Sequence, residues 1–516
     1  MTEPLPRASS ADVALLLEGT YPYVSGGVST WVHQIVRGFP DLRFAAVFIG
    51  SRPEDYGPIR YELPPNLVHL ETHYLYDRAG LPPKRATAGD RAMYERVERL
   101  HEYFHAPLAH AGDEELLGSL GDELGHRLTY EDFLYSEASW RYIRGMFGRF
   151  STDPSFVDYF WTVRNMHGPL WKLAAIRDRL IPARVYHTAS TGFAGYLGAL
   201  VHRRTGRPLV VSEHGIYTKE RRIDLFSAEW IHDNRSVFQR DTTEISYYRQ
   251  LWIRFFETLG RAAYDAASDI VALFEANRRR QVADGADPAK LTTIPNGVDL
   301  PRFAPLAAAR PSPAPRVAAL VGRVVPIKDV KTFVRAMRSV VNRLPDAEGW
   351  IAGPTDEDPA YARECEAIAA DLGLADRVKF LGFRKVTELL PQVGVVVLSS
   401  ISEGLPLVVL EGFASGAPAV TTDVGACREL VYGLAGEDAA LGAAGRVVGI
   451  ADPSALAAAV VELLADPDAW RAASAAALAR VARYYAQDLV FARYRAIYER
   501  ALAAPDAVRG RARAGS

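Results

Sequence analysis

Cysteine is nearly missing from this chain: 516 residues carry two, Cys365 and Cys427. They stand far apart, which argues against a disulfide framework and fits a reducing compartment. Long apolar runs are missing too. No stretch reaches the ~18–20 apolar residues of a membrane span. VALLL, behind Asp12, is too short for a secretory signal, so a cytoplasmic protein without a membrane span is expected. An excess of one charge is also missing. Sixty basic residues nearly cancel 62 acidic ones, which leaves no global field for nucleic acid. No aspartate–x–aspartate pair follows a strand and no histidine cluster has zinc spacing, so a metal-free chemistry is expected. The full spaced-glycine fingerprint of a dinucleotide fold is absent, and so are short-period repeats.

What the chain has is length and alternation. Its length predicts two or three domains. ADVALLLE, residues 11–18, reads as a first buried strand. Val28, Trp31, Val32, Ile35, Val36 and Phe39 then recur at helical spacing up to Pro40. Gly26 and Gly27 sit where that helix begins. Such a pair lets backbone approach a phosphate, or answers only the sterics of a loop. Residues 42–49 read as a second strand. From about residue 75 to 180 the spacing turns helical and aromatic, which predicts a helical insertion whose aromatics are its own core. Strands return at ARVYHTAS, PLVVSEHG and SDIVALF. His214 ends one of them, where open parallel sheets place ligand residues, although a lone histidine is more often structural. The basic TKERR behind it reads equally as a solvated loop. After the turn of IPNGVDLPRF, AAARPSPAP reads as a connector at a domain boundary.

A second alternating series follows, with strands at PRVAALVGR, AEGWIAG, DRVKFLGF and VGVVVLSS. Two such series predict an α/β protein of two doubly wound parallel sheets with a cleft between them. Arg323 and Lys328 follow the first strand of the second series, where arginine can grip phosphate oxygens bidentately and lysine adds a point charge. SEGLPLVVLEGFASGAPAVTTD, residues 402–423, reads as loop, helix and strand, with Glu403 in the loop and Glu411 in the helix. If the stretch were helical throughout, eight steps would put these carboxylates ~12 Å apart. That is too far for a proton-sharing pair or for the roughly 5–9.5 Å of glycosidases. Two contacts on one extended ligand fit better, with the intervening helix N-terminus offering N–H groups to a diphosphate.

GGV at the first helix, EHG, PNGVD, GR with a downstream lysine, and the two glutamates before a Gly–x–Pro turn occur in an order that resembles the retaining glycosyltransferases of family 4. EGTYPYVSGGVSTWVHQ, the long insertion and SEHGIYTKER resemble its PelF subgroup, which works in bacterial Pel exopolysaccharide synthesis. The resemblance covers most of the chain. It implies a GT-B fold of two Rossmann-like domains with the last helix crossing back to the first; on the pattern along the chain these are read as 1–303, 304–486 and 487–505, and the arginine-rich tail at 506–516 as disordered. It implies a UDP-sugar donor, a polysaccharide acceptor, metal-free retaining transfer and recruitment by an inner-membrane synthase complex. By position, Arg323 and Lys328 would hold the diphosphate, helped by the amides of Leu407 and Val408. Glu411 would hold the ribose hydroxyls, and Glu403 would approach the donor sugar. His214 would lie near the sugar from the other domain, and Gly26 and Gly27 would face the phosphates. One departure stands out: Gly425–Ala426 occupies a place where many members have two glycines, and alanine is tolerated there only at ordinary backbone angles. A nucleotide-sugar epimerase or hydrolase, and a non-catalytic nucleotide-binding assembly subunit, are the alternatives.

Overall fold

Aliphatic runs that cannot be satisfied on one face alone become parallel strands buried on both. The computed structural model describes residues 5–77, 81–105, 120–228, 230–235, 245–434, 436 and 438–504. The chain forms two units. The first takes the described residues up to Ala272, then Arg278–Thr292 and the chain from Ala496; the second takes Leu273–Asn277 and Thr293–Arg495.

The first unit is built on β1 (Ala11–Glu18), β2 (Phe44–Gly50), β3 (Leu67–Tyr74), β4 (Ala183–Thr188), β5 (Leu209–Glu213), β6 (Asp269–Ala272) and β7 (Leu291–Thr293), in the order β3-β2-β1-β4-β5-β6-β7. Leu16 on β1 pairs in parallel with Val47 on β2 and with Thr188 on β4. The chain therefore turns from one side of the sheet to the other between β1 and β4. The expected amphipathic helix spans Gly27–Gly38 and buries Trp31, Val32, Ile35 and Val36.

Between β3 and β4 lie the helices Arg91–His105, Tyr130–Tyr135, Glu137–Phe150 and Phe156–Arg177. Thr129, Ser136 and Ser155 cap the last three of them by accepting from amides three residues on. Tyr142, Met146, Tyr159 and Met166 are buried, as expected of an insertion with its own core. Trp140 and Trp161 depart from that expectation, at 45% and 56% exposed. Residues 78–80 and 106–119 of the insertion and the tail at 506–516 lie outside the described residues.

The second unit holds β8 (Val317–Val321), β9 (Glu348–Ala352), β10 (Val378–Gly382), β11 (Val395–Leu398), β12 (Ala419–Thr422) and β13 (Gly445–Val448), ordered β10-β9-β8-β11-β12-β13 and parallel throughout. Here the direction of winding reverses between β8 and β11.

The proline-rich connector is a correction. AAARPSPAP lies inside the second unit, which the chain enters at Thr293. The cause is Arg310, whose guanidinium donates to the carbonyls of Ser415, Val393 and Leu390 and so ties the segment to the sheet it was expected to precede. The terminal helix, Gln487–Ala503, passes from one unit to the other at Ala496. Beyond that point Tyr498 is fully buried, its hydroxyl 2.8 Å from His187 Nδ1 and its ring edge-on to Phe39.

Among the described residues Arg480 heads the large, fully buried side chains. Its Nε donates to Asp438 Oδ1 at 2.6 Å, and its other nitrogens to the carbonyls of Val431, Asp438 and Gly442. Removing one partner of such a pair strands the other charge in a low dielectric, at about 3–5 kcal/mol. Arg480→Ala is therefore expected to lower the melting transition of the second unit sharply, whereas Arg316→Ala, which breaks an exposed pair with Asp346, should shift it little. Differential scanning calorimetry of the two variants checks this.

Candidate functional site

In an open parallel sheet the loops diverge at the point where the winding reverses, and a crevice opens beyond the strand ends there. In the second unit that point lies between β8 and β11. The loop after β8 carries Arg323 and Lys328; the loop after β11 carries Ser399, Ser400 and Glu403. The two loops are stitched together by backbone and hydroxyl groups. Ile401 N donates to Ile327 O at 2.9 Å. The hydroxyl of Ser399 donates to the carbonyls of Lys328 and Asp329 at 2.9 and 3.0 Å. This places Lys328 Nζ 2.5 Å from Glu403 Oε1, with the two side chains 23% and 13% exposed. Ser400 Oγ donates to the same carboxylate oxygen at 2.5 Å.

The glutamate loop is held from its other side by β12's exit. Gly425 has φ +54°, and a Cβ there would come within 2.1 Å of Gly404 O and 2.4 Å of Glu403 O. The next amide, Ala426 N, donates to Gly404 O at 2.9 Å. Ala426 itself has φ −84°, ψ 0°, the ordinary angles its departure from a double glycine required.

The helix Leu407–Ala414 begins directly after Pro406, which supplies no capping side chain. Val409 N donates to Pro406 O at 3.2 Å, and among the described residues the amides of Leu407 and Val408 are left for an outside acceptor. Glu411, one turn on, has an environment opposite to that of Glu403. No hydrogen bond reaches its carboxylate among the described residues, and burial pushes its pKa up to about 7, only partly countered by the Arg302 charge. Arg323 does not join this group. Its guanidinium pairs with Glu357 at 2.6 Å, both side chains about half exposed.

The first unit, by itself, holds a further set at its own reversal point. Gly26 and Gly27 open the Gly27–Gly38 helix without a capping side chain. A Cβ on either would meet nothing within 4 Å, so packing does not demand glycine there. His214 follows β5 and is 7% exposed, its ring centroid 4.3 Å from that of Trp31 on the same helix. Burial lowers its pKa to about 3, which keeps the ring neutral, and its buried Nε2 has no hydrogen-bond partner among the described residues.

Glu213, which the sequence reading passed over within SEHG, fixes this turn. Its buried carboxylate accepts from Thr191 Oγ1, Tyr217 N, Tyr264 OH and Gln281 Nε2. Burial raises its pKa even so. Of the basic TKERR segment, Lys219 and Arg222 are exposed on the helix Tyr217–Ser227, while Arg221 pairs with Asp224.

Residues 11–289, more than half of the chain, match the family described as Domain of unknown function (DUF3492), and residues 315–466 match Glycosyl transferases group 1. A D-inositol 3-phosphate glycosyltransferase of Actinosynnema mirum is 35% identical over 167 residues, 29% of this chain and 40% of the relative. The chain thus spans less than half the length of that curated relative. Among solved structures, HepE of Anabaena in complex with UDP and glucose aligns over 95% of this chain and 99% of its own, with 14% identity and a TM-score of 0.55. Sucrose-phosphate synthase of Thermosynechococcus elongatus aligns over 96% and 100%, with 19% identity and a TM-score of 0.58. These likenesses give the fold: an α/β GT-B architecture of two Rossmann-like domains.

Glu411 yields a pH prediction. Its native pKa lies above the ordinary 4.5, so between these values the native state holds a proton that the unfolded chain has lost. Stability then falls as pH rises from about 4.5 to 7, by up to about 3 kcal/mol. Glu411→Gln removes that loss. The variant should unfold at higher denaturant concentration than the parent at pH 8 and at the same concentration near pH 4.5.

Proposed function

Because the chain belongs to the family described as Domain of unknown function (DUF3492), with a Glycosyl transferases group 1 region behind it, we propose that it is a hexosyltransferase. It moves a sugar from a UDP-sugar onto a growing exopolysaccharide with retention of configuration. The observation that carries this reading is the Lys328–Glu403 pair beside the uncapped Leu407 helix. A fixed cation, an anion with one oxygen to spare and open amides together match a diphosphate joined to a polyhydroxylated ring.

The chemistry follows from where charge grows. As the bond between the sugar carbon and the phosphate oxygen breaks, the leaving diphosphate becomes more negative. Lys328 and the amides of Leu407 and Val408 meet that charge, and they meet it more strongly in the transition state than before it. Arg323 joins them by exchanging Glu357 for phosphate. Glu403 is already engaged by Lys328 and Ser400, which makes it a holder of sugar hydroxyls rather than a nucleophile. The acceptor hydroxyl attacks on the face the diphosphate leaves, and the departing phosphate oxygen takes its proton. Glu411 anchors the ribose hydroxyls; His214, Gly26 and Gly27 are proposed for the sugar and phosphates on their motifs alone. The cations are the protein's own, so the transfer is proposed to need no metal.

UDP as the nucleotide is supported by the HepE structure, which holds UDP and glucose. Pel-type synthesis, in the cytoplasm beside an inner-membrane synthase complex, is supported by EGTYPYVSGGVSTWVHQ and SEHGIYTKER.

Two measurements test the reading. Lys328→Ala should lose about 1.5–3 kcal/mol of UDP affinity, the worth of a charge-assisted hydrogen bond, in isothermal titration. Unchanged affinity in a folded variant removes the lysine from the site. In product analysis by NMR, the new linkage should keep the donor's α configuration, with a rate unchanged by EDTA. An inverted product, or a sugar trapped on Glu403, overturns the same-face mechanism.

A further inference from the structure

Resting on that reading, we propose that Ser400 is the positioning residue of the donor-sugar carboxylate, directing Glu403 Oε2 at a hydroxyl of the transferred sugar. Ser400 is 1% exposed. Its carbonyl accepts from Thr422 Oγ1 at 2.7 Å, which pins its backbone to β12. Its hydroxyl and Lys328 Nζ both donate to Glu403 Oε1.

Both fixed donors therefore occupy one oxygen. Oε2 accepts no hydrogen bond among the described residues, although the side chain is only 13% exposed. A carboxylate oxygen that no protein donor occupies keeps its acceptor capacity open for a ligand. A sugar hydroxyl is the donor such an oxygen lacks.

The two donors differ in what they fix. A lysine ammonium is a point charge on a flexible stem with three rotatable donors, and it follows a carboxylate through many orientations. A serine has one side-chain torsion, and this one stands three residues before the glutamate on a backbone held by Ile327, Lys328 and Ala426. The hydroxyl therefore selects the carboxylate's rotation. Losing it keeps the ion pair but lets Oε2 swing away from the sugar. A misplacement of this size costs turnover roughly 10- to 100-fold, while the nucleotide, held elsewhere, is untouched.

The experiment uses the full chain with UDP-glucose, UDP-N-acetylglucosamine and UDP-N-acetylgalactosamine, and reads UDP release together with UDP affinity by titration. Ser400→Ala should lower kcat roughly 10- to 100-fold with UDP affinity and melting temperature unchanged, and Ser400→Thr, which keeps the hydroxyl, should recover part of the loss. Combined with Glu403→Gln, Ser400→Ala should add no further loss, because it acts through that carboxylate. Ser400→Cys, a weaker donor, gives the same cycle if the alanine variant folds poorly. Wild-type kcat in Ser400→Ala, losses that add, or a parallel drop in UDP affinity overturn the positioning role while leaving the transferase reading standing. A wild-type protein that neither binds UDP nor turns over any of the three donors overturns the reading, and this inference with it.

Discussion

The arrangement in the second unit depends on one ion pair, Lys328 with Glu403, at the reversal point of its sheet. At a dielectric of about 20 two unit charges 4 Å apart attract by roughly 4 kcal/mol, and desolvating both groups offsets much of that. Net stability is therefore a weak reason for the pair. What it does is geometric, and the neighbouring contacts follow the same sense. Ser399 and Ile401 hold the β11 loop to the β8 loop, and Gly425 with Ala426 holds it from β12. Three strand exits are locked so that a single carboxylate stands still.

Two glutamates eight residues apart end with different partners because of what surrounds them. Glu403 has an ammonium and a hydroxyl on one oxygen. Glu411, inside a short apolar helix, has neither, and burial shifts it toward neutrality. The same contrast holds in the first unit. There His214 keeps Nε2 unpaired among the described residues, while Glu213, next to it in the chain, has four donors and serves the scaffold.

Much of this was legible in the sequence, for reasons that particular residues make plain. Strands buried on both faces read as unbroken aliphatic runs, so ADVALLLE was placed at its observed bounds, Ala11–Glu18. Helix Gly27–Gly38 announced itself by apolar spacing, and the Leu407 helix by Pro406 before it. AAARPSPAP misled because composition cannot tell a connector between domains from a strap within one; Arg310 decides it by reaching carbonyls some eighty residues and more away in sequence. Trp140 and Trp161 looked like core because an aromatic's face on a helix is known only once its neighbours are placed.

The site was legible as a set of residue types and illegible as a set of partners. Arg323 and Lys328 stand five apart and look equivalent in sequence. Their separation is tertiary: the loop after β9 brings Glu357 to Arg323, and the loop after β11 brings Glu403 to Lys328. The two cations are thereby held differently. Lys328 is built into a partly buried, hydroxyl-braced frame, so its position is set by the fold. Arg323 is held by an exposed pair of the kind worth at most about 1 kcal/mol, so a phosphate with two oxygens to offer can displace Glu357 at little cost. On the proposed reading, a site with one fixed cation and one exchangeable one can admit a diphosphate past the second and still present the first in register, and that division follows from which acidic loop lies beside each strand end.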